Sequence, residues 1–382
     1  MTAAAGKTEK PRILVSFGTR PEAIKMFPVV HALRRVGGLD VRIAVTAQHR
    51  ALLDQVMQIA GLEADIDLDL MQAGQSLDAL SARIITRMGA ALDEWQPDRV
   101  LVHGDTLTMM MVTLASYFRR IPVGHVEAGL RSGNIYSPWP EEVNRKVAGA
   151  VADLHFAPTE MAAAALRAEN VPETAVHVTG NTVIDALLAT RQRLQDDPTL
   201  ASGLDGAAQR FAGKRIVAVT AHRRENFGEG MQNIAKALAS LAERDDVGIL
   251  FPVHPNPNVR PVMEEHLGAL PNVALVEPLD YPHFVRLMDM AEFVLTDSGG
   301  VQEEAPSLGK PILVMRDTTE RPEGVEAGTA KLVGTDTRLI VETAQRLLDD
   351  RAFYDSMATR RNPYGDGKAS DRIAEIVAAC SR

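Results

Sequence analysis

Short apolar strands alternate with amphipathic helices twice along this chain, and that repetition restricts its fold more than any other feature. RILVSF (12–17), VRIAVTA (41–47), RVLVHGD (99–105) and PVGHVEA (122–128) are apolar runs of strand length. Helical spacing follows in AIKMFPVVHALRRV, through Leu52, Val56 and Ile59, over 77–94, in LTMMMVTLASYFRR, from about Glu141 to Val151 and over 160–169. The pattern then starts again with RIVAVTAH (215–222), GILFPVH (248–254), VALVEPL, FVLTD (293–297) and PILVM (311–315). Helices are expected between these strands at 230–243, 259–267, 281–290 and 301–308. Apolar strands separated by helices of about 10–15 residues imply βαβ units and parallel sheets covered on both faces. The chain has 382 residues, more than one core usually sustains, so the two series predict two doubly wound domains that meet near 170–180.

Composition removes several functional classes. The formal net charge is −9, and Lys/Arg runs do not exceed pairs such as Arg34-Arg35 and Arg223-Arg224, so no face for nucleic acid is expected. Cys380 is the one cysteine, which excludes a disulfide within the chain and a cysteine-based zinc site. No apolar stretch approaches the roughly 18 residues of a membrane helix. The opening MTAAAGKTEK has no apolar stretch of the signal-peptide kind and reads as a frayed tail, which makes a cytoplasmic location the expectation. H-E-x-x-H and G-x-S-x-G are absent, and DIDLDL (65–70) alternates as a half-exposed strand or turn does, so neither metal nor serine chemistry is indicated. Met109-Met110-Met111 reads as core filling.

Ligands of doubly wound folds sit at the carboxyl ends of the strands. That end gathers GTRPEAIK (18–25), HGDT (103–106), HVEAGLR (125–131), TAHRREN (220–226), PVHPNPN (252–258) and TDSGG (296–300). Arg20 and Lys25 flank the start of a helix, where backbone N–H groups favour an anion, although a capped turn with solvated charges explains them equally. GTRPEAIK is neither G-x-G-x-x-G nor a Walker loop, so no dinucleotide cofactor is signalled. In TDSGGVQEEAPSLGKP, Gly299 and Gly300 allow a phosphate to approach the backbone, and Glu304 is placed to accept from ribose hydroxyls; tight strand–helix packing is the competing reading. His222 stands beside Arg223 and Arg224 after a strand, while Asp105 and Glu127 end neighbouring strands. In YSPWPEEVNR (136–145), Pro140 suits a first helical turn, Glu141 follows it, and Glu141 and Arg145 are spaced to pair at i,i+4. Asp105, Glu127 and Glu141 are thus three candidate acid/base groups. NPYGDGK (362–368) precedes the closing helix DRIAEIVAAC and reads as a hinge or cap.

Together with TAQHR, TGNTVIDAL and RDTTERPE, these motifs resemble the non-hydrolysing UDP-N-acetylglucosamine 2-epimerase family from about residue 12 to 379. The resemblance implies an α/β chain of two Rossmann-like doubly wound domains facing a central cleft, of glycosyltransferase-B type, with the C-terminal helix crossing back to the first domain. The implied boundaries are 12–172, with 366–382 packing back on it, and 176–362 for the UDP-binding domain. Hinges are expected near 168–176 and 362–368, with the two halves closing on the substrate. The implied reaction interconverts UDP-GlcNAc and UDP-ManNAc, a precursor of bacterial cell-surface polysaccharides, by elimination of UDP to 2-acetamidoglucal and re-addition. It needs no cofactor, and the implied partner is a second copy of the chain.

Carried onto this sequence, the family's motifs make Asp105, Glu127 and Glu141 the acid/base set and His222 a pyrophosphate contact. Arg20, Lys25, Arg145 and Arg321 become substrate contacts. Ser298, Gly299 and Gly300 become the diphosphate cradle, Glu304 the ribose partner, and Leu279 and Phe284 the uracil wall. Gln48, Glu141, Arg223 and His254 match the family's regulatory UDP-GlcNAc site, although MQAGQ (71–75) has no arginine where certain regulated members carry one. The rival functions are a UDP-sugar transferase of the same architecture, a hydrolysing relative that releases free N-acetylmannosamine, and a non-catalytic nucleotide-sugar sensor. The three carboxylates favour the epimerase, because exchange at C2 requires them and the transferase and sensor do not.

Overall fold

The computed structural model describes residues 10–46, 50–70 and 74–381. The tail through Glu9, Gln48, and Met71 to Ala73 of MQAGQ therefore lie outside the described residues. The chain packs as two compact units, the first comprising residues up to Ala186 plus Gly365 onward, the second Leu187 to Tyr364.

The first unit holds a seven-stranded sheet of β1 (Arg12–Phe17), β2 (Asp40–Val45), β3 (Ile66–Asp67), β4 (Arg99–His103), β5 (Val123–Val126), β6 (Leu154–Ala157) and β7 (Val176–Val178). The spatial order is β3-β2-β1-β4-β5-β6-β7, and every pairing is parallel. Leu14, Val100 and Val102 are fully buried against Ile84 and Met88 of the helix Leu77–Trp95 and Met109 and Val112 of the helix Leu107–Tyr117. Each such side chain contributes roughly 1.5–3 kcal/mol through burial. The C-terminal helix Ala369–Cys380 belongs to this unit. Asp185 holds its start, accepting from the Ser370 and Ala369 N–H groups at 2.7 and 3.3 Å.

The second unit holds a six-stranded parallel sheet of β8 (Arg215–Thr220), β9 (Val247–Pro252), β10 (Val273–Val276), β11 (Phe293–Thr296), β12 (Ile312–Val314) and β13 (Ala330–Leu332), in the order β10-β9-β8-β11-β12-β13. Alternate residues feed two cores: Val217, Val219 and Leu295 face one, Ile216, Ala218 and Val294 the other. Both faces are covered, which is why these strands read as unbroken apolar runs. Among the described residues no helix is long and apolar enough to cross a membrane.

Each order reverses once, between β1 and β4 and between β8 and β11, and the crevice beyond those strand ends is where such sheets bind ligands. One glycine beside the first crevice is required sterically. Gly129 has φ +91°, and a Cβ there would lie 2.2 Å from the Ala162 carbonyl oxygen. Gly129→Ala is therefore expected to cost about 3 kcal/mol or more, whereas Gly133→Ala, at φ +76° in open space, costs about 1 kcal/mol. Urea midpoints of the two variants check the difference.

Candidate active site

The first crevice is built from the ends of β1, β4 and β5. Thr19 caps the helix Arg20–Val36, and Glu22 at its N3 position completes a capping box. The Glu22 carboxylate accepts from the Gly18 and Thr19 N–H groups at 3.1 and 2.8 Å, from the Thr19 hydroxyl, and from the Thr106 hydroxyl at 2.7 Å. That one buried side chain ties the turn after β1 to the turn after β4. Burial raises its carboxyl above the usual range despite these donors. Lys25 lies one turn further along the same helix and is ion-paired with Glu127. Arg20 is the first residue of that helix and is partly exposed.

Glu127 follows β5 with φ +63°, a left-handed conformation rare for a glutamate and characteristic of sites held under strain by their surroundings. Besides Lys25, it accepts from Asn181 Nδ2 at 3.1 Å. Burial pushes its carboxyl up, but Lys25 and His103 outweigh this and hold it well below the usual carboxylate range. Its Oε1 lies 4.0 Å from where a Cβ would sit on Gly104, so Glu127 and Asp105 flank one glycine after β4. Asp105 Oδ2 accepts from Arg145 Nη2 and Nε at 2.6 and 3.1 Å, and its carbonyl accepts from Asn144 Nδ2 at 2.8 Å.

The helix Glu141–Val151 brings those partners, with one correction to the sequence reading. Arg145 pairs with Asp105 and, at i,i+3, with Glu142, rather than with Glu141 at i,i+4. Glu142 is fully buried because the Ser132 and Gly133 N–H groups point at it, at 3.0 and 3.2 Å. Burial alone would raise its carboxyl; those two N–H groups and Arg145 bring it below the ordinary value. Glu141, by contrast, has a buried Oε2 with no hydrogen-bond partner among the described residues. An unpaired buried carboxylate oxygen is costly in a folded chain and calls for an explanation.

The second crevice is organised by Asp297, fully buried at the end of β11. Its Oδ2 accepts from the His222 and Arg223 N–H groups, both at 2.8 Å, and from Asn226 Nδ2 at 3.2 Å, so it sets the loop after β8. His222 Nδ1 lies 3.3 Å from Asp297 Oδ1, and its ring stacks on His254 with centroids 5.8 Å apart. Burial lowers the His222 imidazole, Asp297 opposes the shift, and Arg223 and His254 add to it. Gly299 opens the helix Gly299–Glu304 after Ser298; a Cβ on it would lie 3.7 Å from Arg223 Nη2 and 4.0 Å from Arg321 Cζ. Two guanidiniums thus approach one helix start, an arrangement suited to a diphosphate. Gly300 has open space at its Cβ position, and Arg321 is ion-paired with Glu303. Glu304 accepts from the Tyr281 hydroxyl at 2.8 Å. Burial and the neighbouring Glu304 push that phenol well above its ordinary range. Leu279 and Phe284 pack, partly buried, on the core below.

Within the first unit, then, Lys25 meets Glu127, Arg145 meets Asp105, and Glu127 Oε1 lies by Gly104, the residue before Asp105. Within the second, His222, Arg223, His254, Gly299 and Arg321 gather around the ends of β8 and β11. Gln48 lies outside the described residues. The sequence reading passed over Glu22, His103, Glu142, Asn181, Tyr281 and Asp297. The T-x-x-E spacing of a capping box marked Glu22, but nothing local marked the others.

The family model for UDP-N-acetylglucosamine 2-epimerase matches residues 31–378. A Yersinia pestis protein named UDP-N-acetylglucosamine 2-epimerase is 52% identical, covering 96% of this chain and 98% of its own. The Neisseria meningitidis UDP-GlcNAc 2-epimerase, in a crystal structure bound to UDP-GlcNAc, is 46% identical with a TM-score of 0.87, covering 96% of this chain and all (100%) of its own. The Methanocaldococcus jannaschii enzyme, in complex with UDP-GlcNAc and UDP, is 31% identical with a TM-score of 0.77, covering 96% and 99%. With two parallel α/β units, carboxylates at one switch point, guanidiniums at the other and relatives matched along almost its whole length, this chain belongs to the UDP-N-acetylglucosamine 2-epimerase family.

Proposed function

We propose that this protein interconverts UDP-GlcNAc and UDP-ManNAc by eliminating UDP and adding it back. The observation that carries the reading is that Glu127 Oε1 lies by Gly104 and Asp105 follows Gly104 in the chain, each carboxylate held by a cation, Lys25 and Arg145, the latter on the helix of the unpaired Glu141 oxygen. C2 is the acetamido-bearing centre that inverts, and its proton must be removed and returned on opposite faces, which requires more than one acid/base group. Glu127, kept ionised by Lys25 and His103, is equipped to accept the C2 proton. As the C2–H electrons form the C1–C2 double bond of 2-acetamidoglucal, the C1–O bond breaks and its electron pair leaves on the UDP β-phosphate. Asp105 and Glu141 share the proton exchange needed for inversion.

UDP is held by the second unit. Arg223, Arg321 and the backbone at Ser298, Gly299 and Gly300 carry the diphosphate, with His222 as a further donor, while Glu304 takes the ribose hydroxyls and Leu279 and Phe284 flank the uracil. Fixed positive groups at the departing phosphate stabilise charge that develops only in the transition state. Arg20 and Lys25 are the substrate contacts contributed by the first unit. His254 and Gln48, with Arg223 and Glu141, are retained as a proposed regulatory set. The working form is proposed to be a cytoplasmic homodimer, with hinges near 168–176 and 362–368.

Proton NMR of UDP-GlcNAc turnover in deuterated buffer tests the reaction. Deuterium is expected at C2 of both epimers, with UDP-ManNAc as the product. Retained C2 protium removes the elimination mechanism, and free N-acetylmannosamine as the main product indicates the hydrolysing activity instead.

A further inference from the structure

His103 is the last residue of β4, 3% exposed, and neither of its ring nitrogens has a hydrogen-bond partner among the described residues. Buried polar side-chain atoms are paired in the large majority of cases, so an imidazole with two orphaned nitrogens demands a reason. Its Nε2 lies 3.7 Å from Glu127 Oε2, inside ion-pair range and beyond a hydrogen bond. Glu127 lies beside it, at the residue after β5, and Glu22 of the helix Arg20–Val36 and His125 of β5 interact with His103 electrostatically, while Lys25 of that helix meets the same Glu127. His125 cannot substitute for it: burial pushes that imidazole down to about 3, and its Nε2 is engaged by the Gly104 carbonyl at 2.7 Å.

Glu127 therefore has two neighbours able to carry positive charge, of different kinds. Lys25 is a charge on a flexible four-carbon arm and a proposed substrate contact; His103 is fixed at a strand end. We propose that His103 is a positioning residue for the reaction, steadying the Glu127 carboxylate as its second cationic partner so that Lys25 can turn toward the bound nucleotide sugar. The closing movement required of the ring is under about 1 Å, the difference between 3.7 Å and an ordinary hydrogen-bond length. The inference rests on Glu127 being the base proposed above.

The test is the pH dependence of kcat/KM for the wild-type enzyme, His103→Asn and His103→Gln, alongside Glu127→Gln. Removing a cation from beside a carboxylate raises its proton affinity, so the acid limb is expected to move upward by about one pH unit in both histidine variants. Their kcat should fall more than their KM rises. A folded variant that binds UDP and keeps the wild-type acid limb overturns the proposal. Should both histidine variants fail to fold, imidazole NMR of the wild type and Glu127→Gln decides the matter. The His103 midpoint is expected to drop when the Glu127 charge is removed, and an unmoved midpoint overturns the proposal. Normal turnover by Glu127→Gln would unseat the base itself, whereas an inactive Glu127→Gln with unmoved histidine readouts overturns only the role of His103.

Discussion

Glu127→Gln is expected to lower kcat by about a hundredfold to ten-thousandfold, the range that general acid–base groups supply. Glutamine keeps the size and still accepts from Asn181 Nδ2, so the left-handed turn after β5 retains one of its ties. What disappears is the proposed proton acceptor, held ionised by Lys25 and His103. The change also breaks the partly buried Lys25 ion pair, at a cost of up to about 1–2 kcal/mol. A lower melting temperature is therefore expected together with the rate loss, and activity should be assayed well below it. Asp105→Asn and Glu141→Gln are expected to lose about a hundredfold or more. Asp105→Asn is the milder structurally, because Arg145 keeps Glu142 at 3.1 Å. Deuterium exchange at C2, measured for each variant by NMR, reads the chemical step directly. Near-normal exchange in any one of them removes that residue from the acid/base set.

Glu304→Ala should weaken UDP binding by about tenfold to a hundredfold, whereas Asp105→Asn should leave it within about twofold and stop turnover. The first figure is the cost of losing a hydrogen bond to a charged acceptor, roughly 1.5–3 kcal/mol. Glu304 also accepts from the Tyr281 hydroxyl, so part of the loss in Glu304→Ala is structural. Tyr281→Phe isolates that part, since it removes the internal bond and leaves the carboxylate. Calorimetric titration of UDP against the three variants settles the division between the units. If Asp105→Asn loses as much affinity as Glu304→Ala, nucleotide binding and C2 chemistry are not divided as proposed. If Tyr281→Phe equals Glu304→Ala, the carboxylate acts on UDP only through the packing of the helix Tyr281–Met290.

Much of the architecture was legible because its signals are local. Val217 and Val219 alternate with Ile216 and Ala218 between two cores, and an unbroken apolar run follows from that alternation. Thr19 and Glu22 announce a helix start within four residues, and of Met109-Met110-Met111 the first and last lie in the core with Met110 partly buried against it. The strand-end rule then selected Asp105, Glu127, His222 and Gly299 without any knowledge of strand order.

Strand order itself, and with it the partners of the charged groups, belonged to the tertiary structure. Glu127 meets Lys25 across 102 positions and Asn181 across 54; Asp105 meets Arg145 across 40. No pattern on one segment encodes such pairings, because crossover connections decide which strand ends become neighbours. YSPWPEEVNR shows the limit at short range. Spacing allowed Arg145 to pair with Glu141, but two N–H groups from Ser132 and Gly133 capture Glu142, and Arg145 turns to it and to Asp105. Periodicity fixes which face of a helix a residue occupies; the backbone donors that arrive from elsewhere determine which carboxylate is consumed structurally and which, Glu141, keeps a buried oxygen unpaired.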